Sequence, residues 1–278
     1  MRRVMLLTVV ALLVPSGAWA TWSVIGVDQA TGQVAIASAT CVPQASFAGF
    51  PARGLMDIQA IVVPGKGVAA AQAGVDNTRK NQMLIFRQLE RGTSPAAIIE
   101  MLKADPNIER RQFGIVDLKG RRAGFSGTAN SAASIDIQGR VPGKPVFFSI
   151  QGNILASEDV VRDAVAAFKA TDGTLADRVM AAMDAADAKG GDKRCACDTP
   201  PKLVEKCESR HAFVAYLLEA DRTDRNGRSF NDGHYALYLN VTDQNITPGE
   251  DADPVKTLQI RYDNWKKTHA TEAAAHGQ

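Results

Sequence analysis

The stretch Thr21-Trp22-Ser23-Val24-Ile25-Gly26-Val27-Asp28 decides the fold that we expect for this chain. Apolar and polar residues alternate along it, which is typical of a β-strand with a buried face. The turn Ala30-Thr31-Gly32 follows, and residues 34–39 have the composition of a second strand. Together the two segments predict a hairpin that begins at Thr21.

The residues before Thr21 have the features of a secretory signal peptide. Arg2 and Arg3 open the chain, an apolar run covers residues 4–14, and the pattern Ala18-Trp19-Ala20 ends the segment. A charged start, a short apolar run and an A-x-A site are typical of such signals. We therefore predict that residues 1–20 are removed by cleavage after Ala20, leaving a periplasmic or secreted protein. The run is too short to span a bilayer, so no membrane association is expected after cleavage.

Composition limits the partners of the mature chain. The full chain carries a formal net charge of +2, and residues 1–20 hold two arginines and no acid, so the mature charge is +2 − 2 = 0. A neutral chain argues against nucleic acid as a partner, because phosphate binding depends on clustered lysine and arginine. The mature length, 278 − 20 = 258 residues, suits one large domain or two small ones. No motif predicts a cofactor, and a homo-oligomer is left open.

The four cysteines, Cys41, Cys195, Cys197 and Cys207, all lie in the mature part. An even number in an exported chain favours disulfides. Disulfide geometry makes a bridge between Cys195 and Cys197 uncomfortable, so we predict that one pairs with Cys207 and the other with Cys41. A thiolate metal site is the alternative. The spacing Cys-x-Cys-x9-Cys lacks the paired pattern of common zinc motifs, so we predict no metal.

Strands and helices are predicted in blocks along the chain. After the first hairpin and a loop at residues 43–54, strands are expected at 58–63, 67–73, 112–117, 122–126, 146–150, 212–219 and 235–240. Helices are expected around 83–89, from Ser94-Pro95, at 158–170 and 175–189, and from Pro254 to about Lys267, with a disordered tail at 268–278. Blocks of this kind predict an α+β fold in which helices cover antiparallel sheets.

Several short motifs together resemble one known family. Besides the opening stretch they are Thr31-Gly32-Gln33-Val34, Ala37-Ser38, Ala71-Gln72-Ala73, Gln112-Phe113-Gly114-Ile115-Val116-Asp117, Gln151-Gly152-Asn153-Ile154-Leu155-Ala156, Gly190-Gly191-Asp192-Lys193-Arg194 and Asp253-Pro254-Val255. In this order they resemble an uncharacterised bacterial family of the N-terminal nucleophile (Ntn) hydrolase superfamily, catalogued as a domain of unknown function, number ten twenty-eight. The resemblance runs from residue 21 to about residue 265.

The resemblance implies a four-layer αββα sandwich over residues 21–267. It also implies that Thr21 is the first residue of a central strand and faces a cleft. Signal peptidase would then expose the nucleophile that other members of the superfamily expose by self-cleavage or methionine removal. Residues 195–207 depart from the family pattern and suggest a crosslinked insertion at the rim of the cleft, so substrate specificity cannot be carried over.

An N-terminal threonine can act as a nucleophile, because its hydroxyl attacks and its freed α-amine accepts the proton. That amine has an ordinary pKa of about 8, and a nearby cation would lower it. Arg53 and Lys66 are the candidates for this cation, with ordinary solvated surface charges as the alternative. Ser38 is expected to hydrogen-bond the amine unless it is a simple strand serine. Asp192 is expected either to orient the amine or to cap the next element.

The oxyanion formed during attack needs hydrogen-bond donors placed in advance. The superfamily suggests the backbone N–H groups of Ala73 and Gly74 for this role. The side chains of Asn153 and Gln72 are further candidates, and Gly152 would let the backbone approach closely. The alternative for Asn153 is a turn residue that satisfies its own backbone.

Two functions follow as hypotheses. The first is an exported Ntn-type amidohydrolase that uses Thr21 on a small amide or peptide, including cell-wall fragments. The second is a non-catalytic binding protein of the cell envelope on the same fold. The histidines, His211, His234, His269 and His276, show no metal spacing, and the sequence alone identifies no triad partner for them.

Overall fold

The computed structural model describes residues 21–50, 52–131, 133–202 and 206–276, and strands and helices alternate in blocks along them. The strands are β1 (Thr21–Asp28), β2 (Val34–Thr40), β3 (Ala60–Val63), β4 (Gly67–Ala73), β5 (Arg111–Asp117), β6 (Arg122–Ser126), β7 (Ile135–Arg140), β8 (Val146–Asn153), β9 (Val214–Ala220) and β10 (Leu237–Thr242). The α-helices are α1 (Leu55–Gln59), α2 (Lys80–Glu90), α3 (Pro95–Leu102), α4 (Asp159–Ala170), α5 (Leu175–Ala188) and α6 (Pro254–His276). The predicted signal peptide, residues 1–20, lies outside the described residues.

These strands form two antiparallel sheets. The larger has six strands in the order β10-β9-β2-β1-β8-β7, and the smaller has four in the order β3-β4-β5-β6. β1 is a central strand, and it pairs with β2 on one side and with β8 along its whole length on the other. The predicted α+β class, with helices and antiparallel sheets, is confirmed.

Three hydrophobic clusters hold the sheets and helices together. Ile25 and Val68 belong to a cluster that joins the inner faces of the two sheets. Val24, one residue before Ile25, belongs to a second cluster with residues of α4, α5 and α6. Side chains alternate across a strand, so these neighbours point to opposite faces of the six-stranded sheet. A third cluster packs α2 and α3 on the outer face of the four-stranded sheet. β1 is therefore buried on both faces.

The helix and strand predictions hold where local signals are strong. The Ser94 hydroxyl accepts a hydrogen bond from the Ala97 N–H at 3.3 Å, and Pro95 occupies the first turn of α3, as predicted. Three elements differ from the prediction. Residues 55–59 form α1 before β3 begins, β7 was not predicted, and α6 continues to His276 rather than ending near Lys267.

The cysteines pair as predicted. Cys41 bonds to Cys195 and Cys197 bonds to Cys207, each with a Cα–Cα distance of 5.7 Å. The first disulfide joins the end of β2 to the segment after α5, across a sequence separation of 154 residues. In the described ranges, no helix combines the length and the apolar character that crossing a membrane requires.

Candidate active site

Thr21 opens β1 at an end of the six-stranded sheet where several predicted residues meet. Its strand partner is Asn153, the last residue of β8. The side-chain amide of Gln72, on the facing sheet, donates to the Thr21 carbonyl at 3.0 Å. In the full chain Thr21 is 3 % exposed, and Asn153 is fully buried. The structure therefore brings Thr21, Gln72 and Asn153 together.

Gln72 is the centre of a buried hydrogen-bond network between the two sheets. Its side-chain oxygen accepts from the Ser23 hydroxyl at 2.6 Å and from the Gln59 amide at 2.7 Å. Its amide also donates to the Gln112 side chain at 2.7 Å. A buried amide makes this many bonds only when its partners are fixed in position. Gln72 therefore holds the first residue of β1 in a set place.

The network continues in both directions from Gln72. The Gln112 amide donates to the Gly152 carbonyl at 2.9 Å and to the Ser126 hydroxyl at 3.0 Å. The Tyr216 hydroxyl donates to Gln59 at 3.0 Å, and burial raises the pKa of this tyrosine well above its ordinary value. Among the described residues, the hydrogen-bond partners of Gln72 and Gln112 are all uncharged. This side of the site offers donors and acceptors but no charged general base.

Asp192 lies at the same end of the six-stranded sheet as Thr21. The carboxylate accepts from the Cys41 N–H, just beyond β2, at 2.9 Å, and Asp192 bridges to Leu155, just beyond β8. The Arg194 side chain donates to both oxygens of this carboxylate, from Nε at 3.0 Å and from Nη2 at 2.7 Å. Since β2 and β8 flank β1, these contacts hold Asp192 near the start of β1. Both roles predicted for Asp192, capping the next element and orienting the amine, stay predictions.

The backbone is strained on two sides of Thr21. Ala73 follows Gln72 with a φ of 68°, and Ile154 follows Asn153 with a φ of 55°. Non-glycine residues rarely adopt this left-handed region, and a β-branched one almost never does. Such strain persists where the surrounding structure fixes it, which is common at functional sites. Gly152 is also tightly placed, because a Cβ there would lie 2.8 Å from the Leu155 side chain.

Two predicted polar groups are already engaged. The Gly74 N–H donates to the Arg110 carbonyl at 2.7 Å, so this predicted oxyanion donor is occupied. The Ser38 hydroxyl donates to the Trp22 carbonyl at 2.6 Å, which ties β2 to β1. The N–H of Ala73 stays a predicted donor.

The predicted cations, Arg53 and Lys66, do not lie at this end. Arg53 is an exposed residue whose Nε lies 3.1 Å from Asp57, beside Tyr238 on β10. Strand register places Tyr238 three strands from β1, at the level of Ile25, which is roughly 14 Å across the sheet. Lys66 precedes Gly67, at the opposite end of β4 from Ala73. Neither residue therefore lies close to Thr21. Both predictions rested on charge alone, and charge alone does not determine where a residue lies in the fold.

A second group of polar side chains, which no sequence pattern predicted, lies at the end of α5. His211 Nδ1 lies 3.0 Å from the Asp187 carboxylate, which raises the pKa of the histidine. The His211 N–H and the Val255 N–H donate to the two oxygens of Asp253, and burial raises the pKa of that carboxyl to about 7. One oxygen of Asp187, one of Asp253 and a His211 nitrogen lie within 4.8 Å of one another, a spacing that suits a metal ion. Their existing partners satisfy the cluster without one.

Known proteins agree with this fold. The family described as "Family of unknown function (DUF1028)" matches residues 21–200, more than half of the chain. The crystal structure of protein SPO2555 from Silicibacter pomeroyi, also assigned to DUF1028, superposes with a TM-score of 0.60 over 88 % of both chains, at 20 % sequence identity. No curated protein matches the chain. The chain belongs to the DUF1028 family, as its motifs predicted.

Proposed function

We propose that this member of the DUF1028 family is an exported amidohydrolase whose nucleophile is Thr21, freed by signal cleavage after Ala20. The observation that carries the proposal is the position of Thr21. It is the first residue of a central strand, and Gln72 holds its carbonyl at 3.0 Å while Asn153 pairs with it. A residue held this firmly is preorganised for attack once its amine is free.

The chemistry requires a base at Thr21, and the neutral network around Gln72 supplies none. In the proposed reaction the Thr21 α-amine takes the hydroxyl proton while the hydroxyl oxygen bonds to the amide carbon. The C–N bond then breaks, the protonated amine gives its proton to the leaving nitrogen, and water hydrolyses the resulting ester. An α-amine with a pKa of about 8 suits both proton transfers.

We assign the oxyanion to donors near Thr21. The Asn153 side chain and the Ala73 N–H are the proposed donors, and Gln72 with Gly152 fixes the strands that carry them. Each donor aimed in advance at the oxyanion contributes about 3–4 kcal/mol to transition-state stabilisation. The buried carboxylate of Asp192 is proposed to orient the ammonium form of the amine.

We also propose that the layers form the αββα sandwich of the Ntn superfamily. Helices α4 to α6 pack on the six-stranded sheet, the two sheets pack face to face, and α2 with α3 pack on the four-stranded sheet. The similarity to the Silicibacter pomeroyi structure supports a shared fold. The disulfides support a periplasmic or secreted location, because such bonds persist in oxidising compartments.

One observation favours a second function. Thr21 is nearly fully buried in the uncleaved chain, which is what a non-catalytic envelope-binding protein on this fold would retain after export. The two functions differ in what cleavage does. The amidohydrolase gains an accessible hydroxyl and amine, and the binding protein keeps Thr21 covered.

The test is to map the N-terminus of the exported protein by mass spectrometry and then treat it with an electrophilic β-lactone, which acylates an activated hydroxyl. We expect a mature chain that begins at Thr21 and one added acyl group on that residue. Thr21→Ala should abolish labelling while Thr31→Ala, at an exposed threonine, keeps it. A block of cleavage at Ala20 should also abolish labelling. An N-terminus elsewhere, or an unlabelled Thr21 in a folded mature chain, would contradict the proposal.

A further inference from the structure

A cavity of about 610 Å³ lies beside α5 and α6, apart from the network around Gln72. Its volume is in the range of small-molecule sites. Its lining combines apolar surface with both signs of charge: Asp184, Asp187, Ala188, Ser209, His211, Asp251, Lys256, Gln259 and Ile260. Among the described residues, Ile260 is one of three large apolar side chains that are exposed. The cavity therefore has an apolar side and charged groups that converge on one space.

One charge in the cavity lacks a counterpart. Asp184 is half-buried, and in the described part of the chain its carboxylate makes no hydrogen bond and no ion pair. Burial and the neighbouring Asp187 raise its pKa to about 6. Asp187 differs, because His211 holds it at 3.0 Å and fixes its orientation.

A charge of the opposite sign lines the same cavity. The Lys256 ammonium donates to the Ser209 hydroxyl at 2.8 Å. Among the residues that the structure describes, no carboxylate lies within ion-pair distance of it. Asp184 and Lys256 thus share one cavity without pairing with each other. An unmatched anion and an unmatched cation in one cavity are the complement of a ligand that carries both charges.

We propose that this cavity binds a small zwitterion, an amino acid or short peptide with both termini free. Its ammonium group lies against Asp184 and Asp187, and its carboxylate lies against Lys256 and Ser209. An apolar side chain of the ligand packs on Ile260. This is a second site, and it does not depend on the proposed chemistry at Thr21.

A metal ion fits the cavity less well than an organic ammonium group. Both oxygens of Asp253 already accept backbone N–H groups, and His211 Nδ1 is bonded to Asp187. A metal ion would also make no favourable contact with the Lys256 ammonium group or with the apolar surface at Ile260. The cavity is far larger than an ion needs.

The test is calorimetric titration of the mature protein with L-leucine and L-leucyl-L-leucine, beside N-acetyl-L-leucine and L-leucinamide. We expect saturable binding of at least one zwitterion, and at least tenfold weaker binding of each blocked form. Asp184→Asn and Lys256→Met should each weaken the zwitterion at least tenfold. The affinity for N-acetyl-L-leucine should not change in Asp184→Asn, because this ligand has no ammonium group. The affinity for L-leucinamide should not change in Lys256→Met, because this ligand has no carboxylate. Lys202→Met, at an exposed lysine, should change nothing.

Thr21→Ala separates this proposal from the amidohydrolase, since it should leave the affinity unchanged whether or not Thr21 is catalytic. The inference is overturned by any of four results. These are no binding of either zwitterion, affinities that Asp184→Asn and Lys256→Met leave unchanged, loss of binding in Thr21→Ala, and saturable binding of Zn²⁺ or Mn²⁺ alone in place of the zwitterion.

Discussion

Two polar regions of this molecule, around Gln72 and around His211, are built from opposite chemistry. Around Gln72 the buried groups are amides and hydroxyls, and each finds a neutral partner. Around His211 the polar groups are carboxylates, an imidazole and an ammonium group, and among the described residues Asp184 and Lys256 have no ion-pair partner. A neutral network fixes geometry and responds little to pH. A charged cavity responds to pH and to ligands. The first region is therefore suited to positioning, and the second is suited to the binding that we propose.

The regions are close in the fold although their chemistry differs. A Cβ on Gly191 would lie 2.6 Å from the Trp22 ring and 3.0 Å from the His211 Cβ, so this glycine fills the narrow space between them. Asp192 follows directly, held by the Cys41 N–H. The disulfide from Cys41 to Cys195 closes the same segment. Anything that loosens this segment should therefore disturb both regions.

The largest expected effect comes from removing that disulfide. Cys41→Ala with Cys195→Ala opens a loop of 154 residues, for which chain entropy gives a loss of about 5 kcal/mol in the free energy of unfolding. The matched pair is Cys197→Ala with Cys207→Ala, where a separation of 10 residues gives about 3 kcal/mol. Urea unfolding under oxidising conditions measures both. Equal losses would contradict this prediction, because they would show that the length of the closed loop does not determine the loss.

The second effect tests the neutral region. Gln72→Leu keeps the volume but takes away the acceptor of the Ser23 hydroxyl and the Gln59 amide and the donor to the Gln112 side-chain oxygen, which should lower the free energy of unfolding by about 4 kcal/mol. The loss should be the same at pH 5 and pH 8, because the lost partners do not titrate there. Gln138→Leu, on the edge strand β7, is the control and should cost about 1 kcal/mol. A Gln72 loss that varies with pH would break the contrast between the regions.

The third effect tests the charged region in the absence of ligand. The pKa of Asp184 is raised to about 6 in the folded state, so the folded protein holds this proton more tightly than the unfolded chain. Stability is therefore lost as pH rises from about 4 to 6. Asp184→Asn removes this loss. It should equal wild type below pH 4 and exceed it at pH 8 by at most about 3 kcal/mol, a figure that solvent screening of the half-buried carboxylate reduces. Thermal unfolding across this range measures the difference, and a constant difference would contradict it.

The parts of the fold that could be predicted are those that carry a local sequence signal, such as a turn, an alternating pattern or a helix cap. The first hairpin, β4 and the helix after Ser94 were predicted because each has its own turn, alternation or cap. The strand β7 was missed because it is half-exposed and lies at the edge of its sheet, where burial does not impose a clear pattern. The helix α1 has only five residues, too few for helical periodicity to be visible.

The site was predictable only in part, because its partners are far apart in sequence. Thr21, Gln72 and Asn153 stood in recognisable motifs, and the cysteine pairing followed from geometry. Gln59, which completes the bonding of Gln72, had no motif and is set only by the packing of the two sheets. His211 meets Asp187 and Asp253 across 24 and 42 residues. No local pattern encodes such contacts.

The smallest effect tests whether the strain beside the neutral network has a role. Ala73 adopts a φ of 68°, a conformation that costs an L-residue about 1–2 kcal/mol and glycine very little. Ala73→Gly should therefore raise the free energy of unfolding by up to about 1 kcal/mol. Ala71→Gly, in the regular part of β4, should instead lower it by about 1 kcal/mol. If the strained turn aims Gln72 at Thr21, Ala73→Gly should also slow β-lactone labelling of Thr21 while the protein becomes more stable. A more stable variant with unchanged labelling would make the strain a property of the fold alone.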